Sequence, residues 1–267
     1  MAVESALTLG FILFTAFVAW KLSFLSLSGA ISAFFVGSSI AIGFGSNGLI
    51  LIGIFFISSS LFSKYKKKRK SFLSEIHEKG STRDWAQVIA NGGIAALTGL
   101  IFFYWSEPIW LIAFAISLAS ANADTWASEL GSLSKKAPRT IKGFKKVETG
   151  TSGAISLLGT FAGLLGALLI AMIATYLFQL SSLGFFSIVI FGFAGMLIDT
   201  FLGAYLQAEY TCKVCGRHIE GPTHCQEKAI LLKGKEWFRN DVVNFMSGLS
   251  AVILGILFYI SFSPWIS

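Results

Sequence analysis

What most constrains this chain is a succession of apolar stretches separated by short segments that hold nearly all of its charge. A spanning helix needs about 20 mostly apolar residues. Stretches of this kind run over 5–20, 27–43, 49–62, 85–104, 109–126, 154–180, 184–206 and 242–262. Residues of hydrophobic type make up 54% of the chain, charged residues 13%, and the mean hydropathy is +0.72. A soluble domain carries about 25% charge, so a water-soluble enzyme is excluded. The 26 Phe and 27 Gly, beside 4 Pro and 3 Cys, fit lipid-facing helices joined by small-residue seams rather than a β-barrel or a disulfide scaffold. The expected fold is all-α: a polytopic transmembrane bundle of about eight spans, with 1–267 as a single membrane domain. The first stretch has no basic segment before it and no small-residue cleavage site after it, and reads as a retained helix.

The basic residues test this layout, because Lys and Arg collect in cytoplasmic loops. All 21 lie in alternate connections: Lys21 in the first, then 64–83, 135–146 and 213–239. The connections between them, and both chain ends, have none. The basic connections are therefore expected in the cytoplasm and both termini on the other side, in a multi-pass integral membrane protein of the cell membrane if prokaryotic. The net charge of +7 follows from this topology. It is not a nucleic-acid signal, since no basic helix carries interleaved aromatics. The cluster Lys64, Lys66, Lys67, Lys68, Arg69 and Lys70 reads as an anchor on anionic lipid.

Polar side chains inside a spanning helix are costly and are kept where they pair or act. Arg83, Asp84, Gln87 and Asn91 open the fourth stretch, with Asp84, Gln87 and Asn91 spaced to share a helix face. Asn122, Asp124, Ser128 and Glu129 close the fifth, Asp199 lies in the seventh, and Asn240, Asp241 and Asn244 open the eighth. All fall toward the cytoplasmic ends of their helices. This describes a site open to the cytosol, with an apolar chamber beneath it. The carboxylates of Asp124, Glu129, Asp199 and Asp241 match the chemistry by which enzymes hold nucleotide phosphates through Mg²⁺.

Two further segments carry chemistry. Thr149-Gly150-Thr151-Ser152-Gly153 leads into the sixth stretch, where backbone N–H groups, hydroxyls and a helix N-terminus would favour a phosphate. An ordinary Ser/Thr cap is the plainer alternative, and no Gly-Lys-Ser/Thr follows to make a Walker A loop. All three cysteines lie in a cytoplasmic loop spanning 208–236: Cys212 and Cys215 with Gly216 after them, then His224 and Cys225. Cys-x₂-Cys with a third Cys and either His218 or His224 makes a Cys₃His set for structural Zn²⁺. Cytosolic thiols are otherwise reduced.

Four blocks resemble a known family: 80–93 (GSTRDWAQVIANGG), 121–131 (ANADTWASELG), 150–156 (GTSGAIS) and 241–245 (DVVNF). They are similar to those of the integral-membrane prenyl-phosphate kinases typified by the phytyl-phosphate kinase of tocopherol synthesis. The resemblance covers most of the chain and is weakest in the first three helices. It implies phosphoryl transfer from a nucleoside triphosphate, CTP, to a lipid isoprenoid monophosphate at the cytoplasmic face with Mg²⁺. In that reading Arg83, Asp84, Asp124, Glu129, Asp199 and Asp241 carry the chemistry. Gln87, Asn91, Asn122, Gly150, Thr151, Ser152, Gly153, Asn240 and Asn244 hold nucleotide and cofactor. Expected partners are the lipid phosphate, the nucleotide and the membrane, with a homo-oligomer open and nucleic acid excluded. A transporter or lipid scramblase using Asp199 is the rival from another class. A polyprenol kinase or a CTP-dependent cytidylyltransferase would use the same pocket.

Overall fold

The computed structural model describes residues 2–66, 76 and 78–262, so Lys67, Lys68, Arg69 and Lys70 of the basic cluster lie outside the described residues. The helices are α1 (Ala2–Lys21), α2 (Leu27–Lys64), α3 (Trp85–Trp105), α4 (Pro108–Gly131), α5 (Leu157–Phe178), α6 (Ser182–Tyr205) and α7 (Asn240–Phe262). Six of them, α2 to α7, are long and apolar enough to cross a membrane.

The stretches expected at 27–43 and 49–62 both lie in α2, which is not one straight rod. Gly45, at φ +61° and ψ −150°, breaks the helical path with a conformation open to glycine and very few other residues. Beyond it the chain folds back: Val36 of the first arm and Ile52 of the second both reach Gly92 of α3. At the far ends of the two arms, Gly29 abuts the Arg83 carbonyl and Ser60 accepts a hydrogen bond from the Arg83 guanidinium. The two stretches thus form an antiparallel hairpin, as separate spans would.

α4 is the hub, in contact with α2, α3, α5, α6 and α7. Its continuous buried run from Ile112 to Ala123 is mostly small side chains. Membrane helices gain little from the hydrophobic effect against one another and associate through close packing and interhelical hydrogen bonds. Gly166 of α5 faces the Asn122 and Ala123 backbone, while Gly192 and Gly195 of α6 face Ala119 and Ser120. Asn122, fully buried, donates to the Gly166 carbonyl (2.9 Å) and accepts from Ser58 (3.1 Å) and Ser59 (3.3 Å), tying α4 to α5 and α2.

Serine or aspartate caps start four of these helices: Ser26 on α2, Asp84 on α3, Ser156 on α5 and Ser181 on α6. The sixth stretch begins its helix at Leu157, three residues later than expected. Ala154–Ile155 instead forms a short strand (β2) antiparallel to Arg139–Thr140 (β1). The loop between α6 and α7 is also structured. Glu209–Thr211 (β3) lies between His218–Ile219 (β4) and Ile230–Lys233 (β7), and Thr223–His224 (β5) pairs with Glu227–Lys228 (β6).

Candidate functional site

A cavity of about 730 Å³ opens at the end of the bundle where the caps of α3 and α5, the end of α4 and the start of α7 meet. Among its lining residues are Arg83, Gln87, Asn91, Asp124, Glu129, Gly150, Thr151, Ser152, Gly153, Asp199, Asn240, Asp241 and Asn244. Residues separated by more than 150 positions in sequence are brought together there. Two expected members stand outside it. Asn122 is committed to the interhelical bonds described above. Asp84 forms a capping box, accepting from the Gln87 N–H (2.9 Å) while the Gln87 side chain accepts from the Asp84 N–H (3.1 Å).

Each carboxylate has its own surroundings. Ser63 donates to Glu129 (2.6 Å) and Ser247 to Asp199 (3.1 Å). Asp124 and Asp199, from α4 and α6, line the same part of the cavity. Lys79 bridges Asp84 (2.8 Å) and Asp241 (2.5 Å). Burial works against the Lys79 charge, yet the bonds and charges of Asp241 and Asp84 outweigh it and raise its pKa. Burial likewise opposes ionisation of Asp84, but Lys79 and the backbone N–H groups of Gln87 and Ala86 prevail and hold its carboxyl below the usual range. The Arg83 guanidinium lies over the Phe56 ring at 5.2 Å; burial lowers its pKa while the charge of Glu129 opposes that shift. Among the described residues, Asp241 Oδ1 and Asn244 Oδ1 are buried without a hydrogen-bond partner. Such atoms are costly, and both belong to residues that line the cavity.

The Thr149–Gly153 turn reaches the cavity by a different route from the one expected. The β2 strand and the Ser156 cap stand between it and the first turn of α5, so the helix N-terminus does not point through it. Gly150 and Gly153 have φ of +95° and +74°. A Cβ at Gly153 would collide with Ala204. Ser152 donates to Gln207 (2.6 Å), which donates to Glu220 (3.1 Å). The apolar chamber expected beneath the site is also missing directly under Asp124 and Asp199. The space there, bounded by Ser117, Ser120 and Ser247 among others, is about 10 Å³, room for about one water.

Sequence reasoning passed over several lining residues: Glu78, Lys79, Gln207, Glu220 and Arg239. Lys79 and Arg239 looked like topology signals, although Arg239 directly precedes the polar start of α7 and Lys79 lies in the loop leading to the Asp84 cap of α3. Gln207 and Glu220 give no local signal at all.

The class is therefore an integral membrane protein with a polar, charge-lined cavity at one end of a helical bundle. Residues 10–252 match the family described as "Integral membrane protein DUF92", and the chain belongs to that family. It is 32% identical over 260 residues to Protein PGR of Arabidopsis thaliana, covering 87% of this chain and 88% of that one. It is 34% identical over 239 residues to an uncharacterized membrane protein of Methanocaldococcus jannaschii, covering 84% and 83%. It is 25% identical over 238 residues to Protein VTE6, chloroplastic, of Arabidopsis thaliana, covering 87% and 65%. No solved structure matches the chain.

Proposed function

We propose that the cavity transfers a phosphoryl group from a nucleoside triphosphate, CTP, to a lipid isoprenoid monophosphate, giving the diphosphate and CDP at the cytoplasmic face. One observation carries the reading: carboxylates from α4, α6 and α7 share one cavity with Lys79, Arg83, Arg239 and the Thr149–Gly153 turn. The sequence blocks that resemble prenyl-phosphate kinases fall on its walls, and the relative VTE6 supports the same direction.

Phosphoryl transfer needs positioning and charge neutralisation more than covalent chemistry. Asp124, Glu129, Asp199 and Asp241 would hold Mg²⁺, which would supply charge neutralisation for the phosphates. The gathering of Asp124 and Asp199 in one cavity, and the oxygens of Asp241 and Asn244 that have no hydrogen-bond partner among the described residues, fit such an ion. Arg83, Lys79 and Arg239 supply positive charge for the phosphates, and the glycines and hydroxyls of 150–153 admit a phosphate close to the backbone. The acceptor's phosphate oxygen is already ionised. It attacks the terminal phosphorus, the bond to the β-phosphate oxygen breaks, and CDP leaves, with no strong base required. The space of about 10 Å³ beneath Asp124 and Asp199 does not hold the isoprenoid tail.

An ion-coupled transporter needs a path to the other face. The far end instead carries an aromatic cluster, with Phe44 stacked on Phe114 at 4.3 Å and edged by Phe178, while the charged groups gather at the cavity end. The test is to incubate purified protein with labelled CTP and a panel of prenols and prenyl monophosphates. A prenyl diphosphate formed from the monophosphate supports the reading. Phosphorylation of free prenol alone, a cytidylylated lipid, or no product each overturns it.

A further inference from the structure

Beyond the cavity, the loop between α6 and α7 gathers every cysteine of the chain at one point. Sγ of Cys212, Cys215 and Cys225 and a ring nitrogen of His224 all lie within 4.8 Å of one another. His224 Nδ1 faces Cys225 Sγ at 3.2 Å and Cys215 Sγ at 3.5 Å. The backbone is bent to this end on both sides. At the first pair, the Gly216 N–H donates to the Cys212 carbonyl (3.0 Å) and the Cys212 N–H to the Arg217 carbonyl (2.9 Å), with Gly216 at φ +71°. At the second, the β5–β6 hairpin turns on Cys225 and Gln226, at φ +50° and +62°. A two-residue turn with two positive φ values ordinarily takes Asn-Gly, and keeping side chains there costs free energy that surroundings must offset. The turn brings the Cys225 thiol to the other three groups. Sequence left His218 and His224 equal; here His218 is occupied by Glu209 (Nδ1 to Oε1, 3.2 Å).

We propose that Cys212, Cys215, His224 and Cys225 bind one Zn²⁺ in a closed structural site that holds a wall of the cavity in place. Three thiolates and one imidazole are a complete tetrahedral set that suits zinc and leaves no open position for catalysis. The loop clamped between the two halves of the set contains Glu220. Its N–H donates to the Ile76 carbonyl (2.9 Å), and its carboxylate accepts from Gln207 (3.1 Å), which in turn accepts from Ser152 of the glycine turn (2.6 Å). The metal therefore fixes the chain Ser152–Gln207–Glu220 from outside the bundle. The metal site itself does not depend on the phosphoryl-transfer reading.

The test uses the full-length protein purified in detergent under reducing conditions. Elemental analysis should find about one zinc per chain, and titrating the three thiols of wild type with a mercurial should release it in step. Cys215→Ser and His224→Ala should lose the metal while His218→Ala keeps it. Removing zinc from wild type should strip hydrogen-exchange protection from the Glu220 amide and leave α4 protected. Zinc-free wild type, a disulfide among the cysteines, or loss of metal in His218→Ala but not His224→Ala would overturn the ligand set. Unchanged protection at Glu220 after zinc release would overturn the clamp. None of these readouts uses phosphorylation, so the fate of the kinase reading is decided separately.

Discussion

The two ends of this bundle are built from the same helices on opposite principles. At the end away from the cavity, Phe44 packs on Phe114 and Phe102, Asn47 donates to the Leu177 carbonyl (2.9 Å), and Gly43 meets Gly99 backbone to backbone. At the other end, α4, α6 and α7 present Asp124, Asp199 and Asp241 to a cavity, with carboxylates gathered together and oxygens left without a hydrogen-bond partner among the described residues. The first end spends its residues on contact, and the second tolerates electrostatic cost that packing alone would have removed. A bundle needing only stability has no use for the second arrangement.

The sharpest way to break this contrast is sidedness. In sealed vesicles of known orientation, impermeant nucleotide should support phosphorylation only when the face bearing the basic loops is outward. Equal activity from both faces would end the distinction between a working end and a packed end. Next in size, Asp124→Asn or Asp199→Asn should lower turnover by about two to three orders of magnitude, the scale of losing one preorganised electrostatic contact. The thermal midpoint should stay at or above that of wild type, because a half-buried carboxyl is replaced by a neutral amide of the same shape. Turnover near wild type at saturating Mg²⁺ would remove that residue from the chemistry.

At the packed end the effect should reverse, falling on stability rather than on rate. Gly43→Leu, which drives a side chain into the Gly99 backbone, should cost about 1–3 kcal/mol by overpacking. Gly53→Leu, which meets open space, should stay within about 0.5 kcal/mol. Thermal unfolding in one detergent compares the two, and equal losses would mean that the Gly43 seam is not tight.

A smaller loss than at Gly43 belongs to the α3 cap. Asp84→Ala should cost about 1 kcal/mol, an ordinary capping loss. Its carboxyl titrates below the usual 3.8 in the folded state, so its contribution is present above that value and fades as pH falls through the lowered one. Lys79, raised above 10.5, gives the opposite limb: its contribution is complete below 10.5 and is lost as pH rises through the raised value. An Asp84→Asn protein with an unaltered acid limb of stability would show that the Lys79 bridge contributes nothing there.

Much of this was legible in one dimension. Hydropathy marked the helices, and the segregated Lys and Arg marked which connections share a side, because insertion acts on each stretch and each loop separately. The polar residues at helix ends were visible for the same reason: each is anomalous against its own apolar neighbours, as Asp199 is among Leu197, Ile198 and Phe201. Which of them meet was not legible, since that depends on how each helix is rotated and how closely small residues let it approach the next. The tertiary structure alone turned Asn122 inward to bind α2 and α5, made Asp84 a cap, and set the glycine turn a strand away from the helix expected to lend it a dipole. It also placed His224 rather than His218 beside the three cysteines and drew in Gln207 and Glu220 from a loop with no motif of its own. Local sequence fixes where a polar group is costly, whereas contacts between segments far apart in the chain decide which group offsets that cost.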